Sequence, residues 1–354
     1  MTPQKNITGI QQIGIGVKDV NEAFTWYRKN FGMDIKIFEE DNEVTLMLPY
    51  TGQKAWKRHA ILAMNLYGGG GIEIWQYKSR TPQNAAFEIQ AGDLGIFSAR
   101  IKTKDLDKTY QSFKEKKLNL LSEVVKDPAG NEYFFVKDLY GNIFQYVKEE
   151  EWYGKKEFML GGIAGCMIGV QDMEKAKKLY KDILGYNEEV YDKEGVFADF
   201  KHLPGGAHTV RRVLLKHSIV RHGGFAKMFG PSKIELVKVM DRTPKKIYEN
   251  RYWGDNGFIH ICFDIMGMKV LREECAAGGF PFRVDSANSF DMGEAAGHFS
   301  YIEDSDGTLI EFVETHKVPV LKKLGIYLNL RNRDPRKDLP NWMIKALSMR
   351  RVKD

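Results

Sequence analysis

The chain repeats itself, and the repeat constrains the fold more than any other feature. Ile15-Gly16-Val17-Lys18-Asp19 returns as Ile168-Gly169-Val170-Gln171-Asp172, an offset of 168 − 15 = 153. The same offset carries Ala23 to Ala176, Tyr27 to Tyr180 and Gly32 to Gly185. Further along, Arg80-Thr81-Pro82 returns as Arg242-Thr243-Pro244, Gly92-Asp93 as Gly254-Asp255, and Gly95 as Gly257, now at 162. The difference, 162 − 153 = 9, places an insertion in the second copy, around His202 to Gly230. The chain is therefore a duplicated unit of roughly 150 residues, which agrees with the two domains expected for its length.

Each half divides again. Gln12–Asp19 alternates like a strand and closes on an aspartate suited to cap a helix, and Ser98–Asp105 has the same length and the same closing residue. Ala23, Phe24, Tyr27 and Phe31 then recur at helical spacing before Gly32; Ala176, Leu179, Tyr180 and Ile183 do so before Gly185. Strand-like runs follow each helix, predicted in the first unit at Val44–Pro49, Ala60–Leu66 and Gly71–Tyr77. The predicted fold is α+β: four strand–helix–strand–strand–strand modules, with helices on one sheet face and the other face concave. The predicted boundaries are 7–150 (modules one and two), 158–316 (modules three and four) and a basic extension over 317–354.

Composition narrows the class. The chain is 43% hydrophobic and 28% charged, ordinary for a globular protein. Its net charge of +6 belongs to the tail: residues 316–354 hold eleven Lys/Arg and three Asp/Glu, a net of +8, leaving 6 − 8 = −2 for the body. That speaks against a nucleic-acid partner. No apolar run approaches the roughly 18 residues of a membrane span. The polar start and three scattered cysteines (Cys166, Cys262, Cys275) lead us to expect a cytoplasmic protein without a signal peptide.

The stretch from Gly254 to Asp264 bears on chemistry. Ile259, Ile261, Phe263 and Ile265 are predicted on one strand face; His260, Cys262 and Asp264 on the other. A lone histidine there reads as a satisfied core residue. Yet Glu73 between Ile72 and Ile74, and Glu311 between Ile310 and Phe312, also point away from apolar neighbours, and a buried carboxylate needs a partner or a metal.

The Ile-Gly-Val-x-Asp strand exits, Phe258–Asp264, and the closing Asp304-Ser305-Asp306-Gly307-Thr308-Leu309-Ile310-Glu311-Phe312 with its partner Asp138–Gln145 resemble the vicinal oxygen chelate superfamily, over roughly residues 7 to 315. The superfamily includes glyoxalase I, extradiol dioxygenases and antibiotic-resistance proteins. The resemblance implies one metal-ligand position on the first strand of each module (Gln12, Ser98, Gly165, His260) and one on the last (Glu73, Gln145, Glu235, Glu311). If each half closes on itself, the second half offers Glu235, His260 and Glu311. If the halves cross, as in glyoxalase I, one site gathers Gln12, Glu73, His260 and Glu311, and the other is dead. We adopt the crossed set, which looks like the Gln-Glu-His-Glu set of one glyoxalase I type, although it leaves Glu235 without a role.

Such ligands suit one divalent ion, Zn, Ni, Mn, Co or Fe(II). The implied chemistry is proton transfer next to a carbonyl, with Glu311, or else Glu73, as general base, on a small, anionic, oxygen-chelating substrate. An Fe(II) dioxygenase stands second, because that class needs two histidines. A non-enzymatic binding protein stands third.

Other features are weighed more plainly. His202, His208, His217 and His222, with Arg211, Arg212 and Arg221, suggest either an anion-binding lid or an exposed basic hairpin. The two Arg-Thr-Pro triplets read as turns, and Trp75 and Tyr77 as core or a substrate wall. Residues 340–347 form a short predicted helix expected to dock on the body or on a second subunit of a homodimer.

Overall fold

The computed structural model describes residues 4–154, 160–287, 290–291, 296–321, 326–330 and 333–353. The expected start of the second half at residue 158, and residues 322–325, 331–332 and 354 of the extension, lie outside the described residues.

Each module opens with a strand and a helix as predicted; module one then has three strands, modules two and four have four, two of them very short, and module three has a short helix before its last strand. Module one runs β1 (Asn6–Gly16), α1 (Val20–Phe31), β2 (Ile35–Glu43), β3 (Lys57–Met64) and β4 (Gly71–Tyr77). Module two runs β5 (Gly95–Thr103), α2 (Leu106–Glu115), the short β6 (Asn119–Leu120) and β7 (Val125–Lys126), β8 (Glu132–Lys137) and β9 (Ile143–Lys148). Module three runs β10 (Leu160–Gly169), α3 (Met173–Lys177) continued by a π-helical turn (Lys178–Ile183), β11 (Glu188–Gly195), β12 (Val210–Lys216), α4 (Ala226–Phe229) and β13 (Lys233–Val239). Module four runs β14 (Gly257–Met266), α5 (Met268–Gly278), β15 (Val284–Asp285), β16 (Phe290–Asp291), β17 (Ala296–Glu303) and β18 (Leu309–Thr315).

Helices begin where an acidic cap stands. Asp19 accepts from the N–H groups of Asn21 and Glu22 at 2.9 and 3.0 Å, and Gly32, at φ 69°, ends α1. Asp105 and Asp172 cap α2 and α3 likewise. Module four has Gly267 at the equivalent place, and Glu314 of β18 accepts its N–H at 2.5 Å instead.

The strands form two curled nine-stranded sheets. The first has the order β15-β17-β18-β14-β1-β4-β3-β2, with β16 on β17, and joins module four to module one. The second has the order β11-β12-β13-β10-β5-β9-β8-β6, with β7 on β8, and joins module three to module two. The modules therefore cross between the halves. Contacts that obey the repeat hold the crossing. Tyr27 donates to Asp138 at 2.5 Å and its counterpart Tyr180 to Asp304 at 2.9 Å, tying each first helix to the next module's turn. Arg80 pairs with Asp255 at 2.5 Å, and Arg242 with Asp93 at 2.6 Å. The repeated Arg-Thr-Pro triplets thus do more than turn the chain: each arginine is held by the other half's aspartate.

One expected strand is displaced. Val44–Pro49 is not a strand; the strand is β2, just before it, and Leu48–Tyr50 is a short 3-10 turn. As an edge strand, β2 buries only Ile35 fully and so carries little alternation, while Val44 and Met47 join an apolar cluster with Trp75 and Trp253. The extension docks on the body: Leu330, Leu339, Met343 and Ile344 pack with Ile35, Met64, Leu66, Met228 and Phe229.

Candidate metal centre

The middle of the first sheet sets four strands side by side, β4, β1, β14 and β18. Gly14 lies opposite both His260 and Glu73, and Cys262 opposite both Gln12 and Glu311. A register shift between Gly14 and Ile15 inserts Ile259 as an extra residue in β14. Phe258, Ile261 and Phe263 consequently fill the helix-side core. Ile259, predicted there, joins Trp75 and Tyr301 in another apolar cluster instead.

Gln12, Glu73, His260 and Glu311 stand together. His260 Nε2 is 3.1 Å from Glu311 and 3.4 Å from Glu73, and the Gln12 amide nitrogen is 3.4 and 3.5 Å from the same carboxylates. Ligand atoms of Glu73, His260 and Glu311 all lie within 4.8 Å of one another. Gly14 makes room for the imidazole: a Cβ there would come within 2.4 Å of His260 Cε1. Glu235, the ligand expected if each half closed on itself, sits in the other sheet.

The electrostatics are those of a cation site. Burial opposes a charge on His260, but Glu311 and then Glu73 outweigh it and bring its pKa up to about 9. Burial likewise opposes ionisation of Glu73, yet His260, Arg58 and Gln12 together hold it below the usual carboxylate range. Both His260 nitrogens and Gln12 Oε1 are buried without a hydrogen bond among the described residues. Two carboxylates, an imidazole whose Nε2 faces both of them and an amide that needs only a half turn to present its oxygen fit a divalent ion.

Three neighbours escaped the sequence reading. Trp253 stacks on His260 (6.2 Å, 14°) and meets Trp75 edge-on at 4.4 Å. Its counterpart at offset 162 is Ala91, a difference that aligning the repeats exposes. Tyr301 sets its ring edge against His260 at 5.5 Å; burial, then Glu311 and Glu73, keep its phenol protonated. Arg58 of β3 lies 5.1 Å over the Trp75 ring, with Nη1 3.6 Å from Glu73. Cys262 is buried too; burial and then Glu311 push its thiol well up and favour the protonated form.

The second sheet carries the remaining expected positions, Ser98, Gln145, Gly165 and Glu235. Arg212 fills the place with its own cation: Nε donates to Glu235 at 2.7 Å and Nη1 to Asp199 at 2.7 Å. Tyr191 donates to Glu235 at 2.7 Å, and Arg100 stands 3.5 Å away. This gives Glu235 a role and overturns the lid for Arg212, which lies fully buried in β12. Of the other basic residues of that region, Arg211 pairs with Asp192, His208 with Asp241 and His222 with Asp338, His202 is exposed, and His217, Arg221 and His222 line one cavity. Among the described residues no helix is long and apolar enough to cross a membrane.

Residues 9–146 match the family model of the Glyoxalase/Bleomycin resistance protein/Dioxygenase superfamily. No curated protein matches the chain in sequence. Among solved structures, glyoxalase I from Zea mays is similar with a TM-score of 0.53 at 14% identity, over 88% of this chain and 92% of that one. A proposed dioxygenase from Bacillus subtilis is similar with a TM-score of 0.57 at 13% identity, over 88% and 86%. At such identities these likenesses concern the fold. Residues 9–146 therefore belong to the Glyoxalase/Bleomycin resistance protein/Dioxygenase superfamily, and the chain as a whole shares the fold of these solved structures.

Proposed function

We propose that the chain is a metal-dependent enzyme of the glyoxalase type, moving a proton next to a carbonyl of a small oxygen-chelating substrate in an isomerase, epimerase or lyase reaction. The observation that carries this reading is the meeting of Glu73, His260 and Glu311, with Gln12 against both carboxylates. A divalent ion held by these four would supply Lewis-acid stabilisation of negative charge developing on a substrate oxygen.

The chain's own residues do the rest. Glu311 is the better base. Glu73 has the Arg58 guanidinium beside it, whereas among the described residues only His260 forms an ion pair with Glu311. Tyr301, neutral and packed on the imidazole, helps to fix that carboxylate. Trp75 and Trp253 close the site against water. The oxygenase reading requires two histidines, and this cluster holds one.

Metal analysis of protein purified without added metal is the test. We expect one equivalent of Zn, Ni, Co or Mn. Losing a direct ligand in His260→Ala should weaken binding by more than the roughly 10–100-fold that loss of a supporting partner costs. Gln12→Ala should weaken it less, and Glu235→Gln not at all. Bound iron with oxygen consumption would point to the dioxygenase, and no uptake of any ion to a binding protein.

A further inference from the structure

We infer that the site selects a substrate bearing a carboxylate, or an equivalent oxyanion, beside its chelating oxygens, and that Arg58, Trp75 and Trp253 recognise it; this rests on the metal-enzyme reading above. The polar balance of the wall is one-sided. Trp75 Nε1, Trp253 Nε1 and Arg58 Nη1 are buried and make no hydrogen bond among the described residues. All three are donors and none can accept. Buried donors without acceptors are rare in folded proteins, and three on one wall call for a reason.

The three are contiguous: the guanidinium lies 5.1 Å over the Trp75 ring, and the two indoles are 4.4 Å apart. Arg58 is also held in advance. Its Nε donates to Asn42 at 2.7 Å and its Nη2 to Glu40, both on β2, which turns Nη1 inward. There it stops 3.6 Å from Glu73, too far for a hydrogen bond. The ligand carboxylates would balance a divalent ion, so an anionic group entering beside Arg58 meets no surplus of negative charge. A lone carbonyl would use one of these donors; a carboxylate, with two oxygens and several lone pairs, can use all three. A cavity of about 380 Å³ borders Trp253, with Tyr50, Ile259, Arg251 and Thr308 in its lining.

The test uses the full chain loaded with one equivalent of Mn(II), its metal content measured first. Calorimetry then compares oxalate with glycolamide, two vicinal-oxygen chelators of which only the first is anionic. Arg58→Ala should weaken oxalate at least about tenfold and glycolamide less than about twofold. Trp253→Phe and Trp75→Phe, which keep an aromatic ring but lose the N–H together with part of the indole, should each weaken oxalate about threefold or more and glycolamide less. They keep the question open to decision should Arg58→Ala fail to fold. Folded, metal-loaded variants with the wild-type oxalate-to-glycolamide ratio would overturn the inference and leave the enzyme reading standing. A chain that takes up no metal would fail at loading and bring down both.

Discussion

The two concave sheet faces start from equivalent positions and end as opposites. Glu73 and Glu235 correspond at offset 162, each near the middle of its sheet between apolar neighbours. Around Glu73 stand His260, Gln12 and a second carboxylate, a surplus of negative charge and lone pairs that asks for a cation. Around Glu235 stand Arg212, Arg100 and Tyr191, so the chain has supplied the cation itself. Room differs as well. Gly14 leaves space for an imidazole, whereas its counterpart Met167 fills the space in an apolar cluster with Phe97, Tyr133, Phe135 and Phe200. A carboxylate pointing away from apolar neighbours therefore announces a positive partner without saying whether that partner is an ion or a guanidinium.

The sharpest way to break this contrast is to remove the internal cation. Arg212→Ala leaves buried Glu235 to Arg100 and Tyr191 and buried Asp199 to Tyr133, and breaking a buried pair in this way costs about 3–5 kcal/mol. The denaturant midpoint should fall accordingly, while metal content stays at one ion per folded chain. A variant that lost its metal while still folded would show that the sites are not independent.

That contrast also marks how far the sequence could be read. The modules and the aspartate caps were legible because period-two alternation and capping are local, whereas the expected ligand positions came from the resemblance to the vicinal oxygen chelate superfamily, with alternation only as support. The repeat offsets located the equivalents. Arg212 was not legible: in the sequence it sits among Arg211, His208 and His217 and looks like part of a basic surface, and only the pairing of β12 with β13 brings it to Glu235. Ile259 was misplaced because a bulge breaks the alternation without leaving a residue signature. β2 was missed because an edge strand buries too little to show a pattern.

The next effect in size tests equivalence by sign. Asp264 and Lys102 correspond at offset 162, and both are buried. Burial pushes Asp264 up to about 7, despite the bond from Thr8, and pulls Lys102 down to about 8, despite Glu149 and Glu151. An acid raised above its ordinary 3.8 costs the fold stability as pH climbs from about 4 to about 7, and the cost persists above. A base lowered from 10.5 costs stability below about 8, and the cost disappears as pH climbs toward 10.5. Asp264→Asn should therefore gain on the wild type above pH 7 and match it near pH 4, by roughly 4 kcal/mol at most. Lys102→Met should gain below pH 8 and lose the advantage at pH 10.5, by roughly 3 kcal/mol at most. Melting curves across pH that moved the same way for both variants would refute the pairing.

The smallest effect asks whether the two halves are as symmetric at their clamps as in sequence. Arg80–Asp255 and Arg242–Asp93 are reciprocal, and both aspartates are essentially buried. Each also accepts a backbone N–H from the residue three beyond the clamping arginine, Gln83 or Lys245, at 2.9 Å. Either Arg→Ala change should then cost about 1.5–3 kcal/mol, the worth of a hydrogen bond to a charged group. The surroundings are not symmetric, however. Arg80 also lies over the rings of Tyr77 at 4.6 Å and Tyr252 at 4.9 Å, and Tyr77 meets Trp75 edge-on at 5.3 Å, whereas Arg242 donates to the Ala91 carbonyl beside the filled sheet. Arg80→Ala should accordingly loosen the wall that carries Trp253 and weaken metal retention a few-fold, while Arg242→Ala should lower stability alone. Equal metal loss from both would mean that the clamps serve the crossing as a whole rather than the site each one borders.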